Sequence, residues 1–503
     1  MNEANRRIAR NSLFIYLRIV SMVVVGLYLS RVVINLLGPS DFGLFAVVGG
    51  LMGLCAFITG SLANATSRFL NVEMGLEHGD VNRCFNVNVL LHAVLALIIF
   101  VVAETAGLWY VLHGLNVEAG RLGHAVFVYQ VSILTTCLGV LSSPYQSLFQ
   151  AKERFRFIAL LDIINIFVRL GCVLMLTLYD GAYTLCLYSV IYSLTSVNTF
   201  VIFFLTSRRL WPAAVRLRFV RGWHHYRATL SFSSWNLLSA LATTGRSSGS
   251  DLLINAFFNT VVNGAFAIGK SICTYIFLFS ANFDSAAAPQ IIQSYTQGDM
   301  GRVTFLVNHM GRYNLLLFML VLFPLWIELD FVLHLWLGVV PEGTLSFVRL
   351  YILVAGVALT SGGIGPLQRA YGRIKWFQIE LSVFFLLCLP VGYVLFAIGC
   401  PPYTILVCFV VADILNRTVQ LVLIRHLIGY DALGFVRSAY LRPAVIAALM
   451  SGVLWLYSHC PAAGAGGKCA AIAACFVLTA LLVFFIGLNS AERRYFAQRI
   501  FKK

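Results

Sequence analysis

Fourteen apolar stretches, each long enough to cross a bilayer, run through this chain with short polar breaks between them. A spanning helix needs about 20 predominantly apolar residues to cover about 30 Å of hydrocarbon. We place the spans at 12–37, 43–66, 85–110, 124–149, 157–178, 183–206, 228–253, 264–288, 312–335, 346–367, 376–398, 402–424, 439–458 and 468–488. Composition agrees: 60% of the 503 residues are apolar and 11% are charged, where a soluble protein carries about 25% charged residues. A soluble enzyme and a disordered chain are both excluded. No connecting segment is long enough for a domain with its own core. The expected fold is all-α and polytopic, with about fourteen transmembrane helices.

Charge placement tests this map. Lys and Arg accumulate on the cytoplasmic side of membrane proteins. Between and beside the spans, 27 of them fall on the side that holds both termini and 3 (Arg121, Arg349, Lys468) on the other. A wrong span count would scramble that alternation, so both termini are expected in the cytoplasm. The net charge of +16 is therefore a sorted membrane charge, and no nucleic-acid partner is expected. The first span follows Arg6, Arg7 and Arg10 and lacks a convincing cleavage site, so it reads as a permanent helix. The longest basic segment, 207–227, interleaves six Arg with Trp211, Phe219, Trp223 and Tyr226, and suits the anionic inner headgroup layer. Among the twelve Cys no metal-ligand spacing appears, and neither metal nor cofactor is expected. Cys460 and Cys469 share an outer loop, where they read either as a disulfide or as two small hydrophobes.

The chain repeats itself at an offset near 220. Ile34-Asn35 followed by Gly43-Leu44-Phe45 recurs as Ile254-Asn255 followed by Gly264-Ala265-Phe266. Gly79-Asp80-x-x-Arg83 recurs as Gly298-Asp299-x-x-Arg302, and Ala151-x-x-Arg154-x-Arg156 as Ala370-x-x-Arg373-x-Lys375. Six spans per copy return the chain to its starting side. Two six-helix lobes should then relate by a pseudo-two-fold axis along the membrane normal. The expected divisions are an N-lobe at 1–206, a basic linker at 207–227, a C-lobe at 228–430, and two further spans with a basic tail at 431–503. A substrate site between the lobes and alternating access follow from such a repeat.

Ionisable groups inside a bilayer cost about 2.5–3.5 kcal/mol each on insertion scales, so they should face a cavity or a partner. Span 1 carries Arg18 and Arg31 and no acid, span 7 carries Arg246, and span 8 carries Lys270. Guanidinium groups in that position suit a phosphate, which they bind bidentately; Arg18 and Arg31 also read as snorkelling to the headgroups. The segment Thr243–Asp251 holds no large apolar side chain, so Ser247, Ser248 and Asp251 should line a polar surface or a gate. Two glycines there suggest a hinge, and Asp251 falls opposite Arg31 under the repeat. Asp162, Asp284, Glu380 and Asp413 are candidates for ion coupling. Asp162 with Arg169, and Asp413 with Arg417, also read as structural pairs on one helix face.

Several motifs have a family look: Leu37-Gly38-x-x-Asp41-Phe42-Gly43, Ser67-Arg68-Phe69, Gln150-Ala151-x-x-Arg154-Phe155 after Pro144, and Ala288-Pro289-x-Ile291 before Gly298-Asp299. In these the chain resembles the multidrug/oligosaccharidyl-lipid/polysaccharide exporter superfamily, and within it the polysaccharide transporters. The resemblance implies a two-lobed, V-shaped flippase in the bacterial inner membrane. It would move an undecaprenyl-diphosphate-linked oligosaccharide for O-antigen or capsule synthesis. Arg18, Arg31 and Arg246 would occupy helices comparable to those lining the cavity of similar lipid flippases. Expected partners are that lipid-linked oligosaccharide, anionic inner-leaflet lipids and a polysaccharide polymerase, with the chain itself a monomer. The alternative within the superfamily is a multidrug or cation antiporter, which the absence of an acid on span 1 disfavours. A cell-wall transferase is a third reading, and the short outer loops offer no paired carboxylates for it.

Overall fold

The computed structural model describes residues 3–53, 56–75, 79–117, 120–152, 154–179, 181–373, 375–490 and 492–494; side chains at 1–20, 54–58, 64, 71–72, 75, 228, 231–236, 278–289, 293 and 296 lie outside the description. Helices account for almost all of it, and no strand occurs among the described residues.

We label the long helices in chain order: α1 Glu3–Gly53, α2 Ala56–Gly75, α3 Val81–His113, α4 Leu122–Ala151, α5 Phe155–Leu176, α6 Thr184–Leu210, α7 Trp223–Phe257, α8 Thr260–Thr296, α9 Met300–Ile327, α10 Leu329–Leu337, α11 Thr344–Leu359, α12 Ile364–Tyr371, α13 Lys375–Ala397, α14 Thr404–Ile428, α15 Ala432–His459 and α16 Gly464–Gly487. Among the described residues eleven helical segments are long and apolar enough to cross a membrane. The pair α11 and α12, bent by 44°, makes a twelfth. Expected spans 2 and 7 are absent from that count. Their helices, α2 and α7, are present but polar, and a helix that polar needs a neighbour or water to cover it.

Two boundaries differ from expectation, each for a local reason. Span 2 was expected at 43–66, but α1 continues through a break at Gly38 (φ 73°) and Pro39 to residue 53, and α2 then runs to Gly75. Span 9 was expected from 312, yet α9 starts at Met300, because the Asp299 side chain accepts from the Arg302 N–H at 2.9 Å and caps the helix. Asp80 caps α3 in the same way, accepting from Arg83 N–H at 2.8 Å. The repeated Gly-Asp-x-x-Arg motif is thus a helix start. Within α9, Arg312 is 5% exposed and paired with Glu492.

By packing, the chain separates into two compact units. The first comprises 1–267, 336–342 and 385–402, and the second 268–335, 343–384 and 403–503. Packing therefore groups α7 with the first six spans, a different division from the one the repeat suggests. In the first unit α3 and α4 close over Leu44, Val48 and Tyr129, and a second cluster gathers Phe85, Tyr145, Phe149 and Phe203. In the second, α9, α14 and α15 enclose Val303, Val307, Tyr430 and Phe435.

Candidate functional site

Within the first unit the repeat meets itself. Ser40 and Thr260, 220 residues apart, bring their hydroxyls within 3.0 Å. Three residues on, a Cβ on Gly43 would overlap the Thr260 carbonyl, and one on Gly264 would lie 2.9 Å from the Pro39 carbonyl oxygen. Equivalent residues that touch each other mark a two-fold axis. Only glycine at both positions lets α1 and α8 approach so closely.

The same symmetry produces an exchange of clasps one turn before the axis. Asn35 donates to the Leu337 carbonyl at 2.6 Å and accepts from the Val339 N–H at 3.3 Å. Its repeat partner Asn255 accepts from the Asn116 N–H at 3.0 Å and donates to the Asn116 carbonyl at 3.2 Å. The Asn116 side chain in turn donates to the Phe258 carbonyl. Each repeat therefore holds a loop of the other, at the arginine-poor ends of the helices.

Below these clasps α7 presents the polar segment found in the sequence. The helix is unbroken through Gly245 and Gly249. The expected hinge is instead a seat for α13, since a Cβ on Gly249 would lie 2.8 Å from Leu389. Arg246 is half-buried with its guanidinium 3.7 Å from the centroid of the Phe385 ring, a contact that strengthens when desolvated. Ser248 and Asp251 are 6% and 2% exposed and pack against α1, where a Cβ on Gly50 would come within 2.8 Å of the Asp251 carboxylate. Ser247 is half-buried and Arg31 exposed. Lys270 is half-buried in the second unit. The side chains of Arg18 and Asp284 lie outside the described residues.

A second polar feature lies inside the first unit and joins residues that the sequence left scattered. Gln146 of α4, Asp162, Asn165 and Arg169 of α5, and Thr195 and Thr199 of α6 line a cavity of about 310 Å³. Asn165 donates to Thr199 at 2.8 Å and accepts from Asn198 at 2.6 Å, so the amides are fixed in place. Arg169 lies 5.3 Å from the Tyr192 ring centroid, and its buried Nε has no hydrogen-bond partner among the described residues. The cavity offers a carboxylate, a guanidinium, amides and hydroxyls inside membrane-spanning helices. The available signal was polar residues three or four apart in otherwise apolar spans.

In the second unit Glu380 of α13 is 7% exposed, and neither carboxylate oxygen has a hydrogen-bond partner among the described residues. On α14, Asp413 and Asn416 are 4% and 5% exposed. Arg417 donates to Thr360 at 3.0 Å and to Gln420, and Tyr440 donates to the Thr360 carbonyl at 2.8 Å. A buried carboxylate with open lone pairs can take a proton or a small cation. Elsewhere Cys460 and Cys469 are free, exposed thiols.

A family model described as "Polysaccharide biosynthesis protein" matches residues 32–338. No curated protein matches the sequence. Among solved structures, the lipid II flippase MurJ in an inward closed conformation aligns with a TM-score of 0.63 at 12% identity, covering 98% of this chain and 100% of that one. An inward-facing multidrug resistance MATE family transporter of the MOP superfamily gives 0.61 at 13% identity, over 81% of this chain and 96% of its own. The MATE multidrug transporter DinF-BH in complex with R6G gives 0.59 at 16%, over 84% and 96%. At these identities the likeness is one of fold.

Proposed function

We infer the function from one premise: this chain belongs to the polysaccharide biosynthesis protein family, and its fold is that of membrane transporters and flippases. The reading we propose is a flippase that moves a polyprenyl-diphosphate-linked oligosaccharide from the inner to the outer leaflet of the bacterial cytoplasmic membrane by alternating access, both termini being cytoplasmic. The observation that carries it is the cavity of Gln146, Asp162, Asn165, Arg169, Thr195 and Thr199. Lipid tails cannot solvate such a surface, whereas sugar hydroxyls match its amides and carboxylate. Arg246 and Arg31, with Arg18 and Lys270, would attract the diphosphate, and Ser247, Ser248 and Asp251 would line the path. A polysaccharide polymerase would receive the product.

Binding measurements separate the parts of this reading. Purified full-length protein is offered undecaprenyl diphosphate and the same lipid carrying N-acetylglucosamine. The sugar-bearing lipid is expected to bind more tightly, Asn165→Leu to abolish that increment, and Arg246→Ala to weaken both. Failure of either lipid to bind overturns the reading.

Glu380 favours a second element, coupling to a proton or cation, in which Asp413, Asp162 and Asp284 are further candidates. Glu380→Gln should slow glycan export while leaving lipid binding intact. A drug or cation antiporter would use the same carboxylate. Protection of an efflux-deficient host from cationic drugs, lost in Glu380→Gln, would favour that alternative.

A further inference from the structure

A strap of backbone between α6 and α7 is fastened to the start of α3. The Asn82 amide donates to the carbonyls of Ala213, Ala214 and Arg216 at 3.0, 3.0 and 2.8 Å. The Asn86 amide donates to the Arg216 carbonyl at 2.9 Å and accepts from the Arg218 N–H at 2.9 Å. Beyond it, the Tyr226 hydroxyl donates to the Val220 carbonyl at 2.6 Å, and both side chains bury against Val87. This basic segment is therefore a fixed element of the fold, although nothing in a headgroup anchor requires it to be fixed.

Fastening the strap leaves a groove of about 650 Å³ between it, α3 and the first turns of α7. That volume lies within the range of small-ligand sites. Its walls are Leu91, Val94 and Ile98 of α3 and Trp223, Tyr226 and Leu230 of α7, and Arg221 stands at its rim. Arg216, Arg218 and Arg227 are exposed nearby in sequence, and Phe219 and Trp223 are 72% and 68% exposed. From Gly181 to Ser250 the chain contains no Asp or Glu. The strap thus has no carboxylate of its own to neutralise its arginines; nearby, Glu73 of α2 pairs with Arg83 at 3.5 Å and Asp80 caps α3.

We propose that this groove is a binding site for an anionic phospholipid of the arginine-rich leaflet, with one acyl chain lying between α3 and α7 and the phosphate held by Arg221 and its neighbours on the strap. An apolar channel with a guanidinium rim matches both ends of such a lipid. Neutral headgroups would satisfy the channel and leave the rim uncompensated. A bound chain would also complete the packing of the first turns of α7, the helix that carries Arg246. The site is separate from the polar cavity and stands whether or not the cavity binds sugar.

The test uses the full chain in phosphatidylcholine vesicles doped with a phosphatidylglycerol probe bearing a diazirine on one acyl chain. Illumination should label peptides spanning Leu90–Ile98 and Phe219–Leu230 more strongly than α16, whose apolar window is only 11% buried. Arg221→Gln together with Arg218→Gln changes only exposed side chains, and should cut that preference by about tenfold, the loss of one charge-assisted contact. Val94→Trp, which fills the channel, should remove it. Labelling no stronger than in α16, an equal preference from a phosphatidylcholine probe, or displacement of the probe by undecaprenyl phosphate at lower concentration than by unlabelled phosphatidylglycerol would each overturn the proposal.

Discussion

Asn35 and Asn255 are the same residue twice, one in each copy of the repeat, and their surroundings differ. Asn255 is fully buried and pairs with both backbone groups of Asn116. Asn35 is exposed, and its amide is shared between the carbonyls of Leu337 and Arg31. One clasp is a pair of hydrogen bonds from a fully buried asparagine; the other is made by an asparagine open to solvent. An internal duplication thus preserves which groups meet while letting the strength of each meeting drift. Under the proposed alternating access, the two clasps should not release together. Water reaches the exposed Asn35 side chain and can replace its bonds more readily than at the buried Asn255.

The sharpest way to break the comparison is at the axis that creates it. Gly43→Val places a branched side chain into the Thr260 backbone, where neither partner is a flexible side chain that can move aside. We expect a loss of about 3 kcal/mol, the upper part of the range for overpacking, seen as a large fall in Tm of the detergent-purified protein. A variant as stable as the parent would mean that α1 and α8 do not meet here.

Next in size is Asn255→Ala. It removes both partners of the Asn116 backbone and empties a fully buried side-chain position, at a cost of about 1–3 kcal/mol. Asn35→Ala should cost less, about 0.5–1.5 kcal/mol, since Asn35 and Val339 are exposed to water. Thermal unfolding of the two variants side by side checks the order, and a cysteine placed at Val339 should become more reactive to a membrane-impermeant thiol reagent in Asn35→Ala. If Asn35→Ala is the more damaging of the two, the asymmetry is reversed and the proposed order of release fails with it.

How much of this was legible beforehand depends on what each residue acts through. The helices were legible, because apolar length in a bilayer allows little else; each expected span falls on helix, although spans 2, 9 and 10 each run across a break between two helices. The repeat was legible as letters, and the structure supplies its meaning: Asp80 and Asp299 are caps, Gly43 and Gly264 are the crossing, and Asn35 and Asn255 are clasps. Reading the exchange of loops required knowing that residue 35 lies beside residue 337, which no local pattern encodes. Gly245 and Gly249 suggested a hinge because glycine loosens an isolated helix. In place they are contact points for Leu386 and Leu389, a tertiary use that outweighs the local propensity. Asp162 and Arg169 stood out on one helix, but their meeting with Gln146, Thr195 and Thr199 in the 310 Å³ cavity depends on three helices packing together, which no local pattern encodes.

The smallest effect is also the most specific. The Ser40–Thr260 hydroxyl contact joins a residue to its own repeat copy at 3.0 Å. Removing either hydroxyl should cost only about 0.5–1 kcal/mol, since Ser40 is half-buried and a single neutral hydrogen bond is modest in net terms. The informative quantity is the coupling between the two changes. Ser40→Ala and Thr260→Val, singly and together, form a double-mutant cycle, and groups in direct contact should give a coupling of at least about 0.5 kcal/mol. The same cycle run between Ser40→Ala and Thr274→Val should be additive, because the Thr274 hydroxyl is taken by the Lys270 carbonyl. Coupling in the first cycle and additivity in the second would place the pseudo-two-fold axis at residues 40 and 260 in the folded protein. Additivity in both would remove that contact, and with it the symmetry argument that makes Asn35 and Asn255 counterparts in space as well as in sequence.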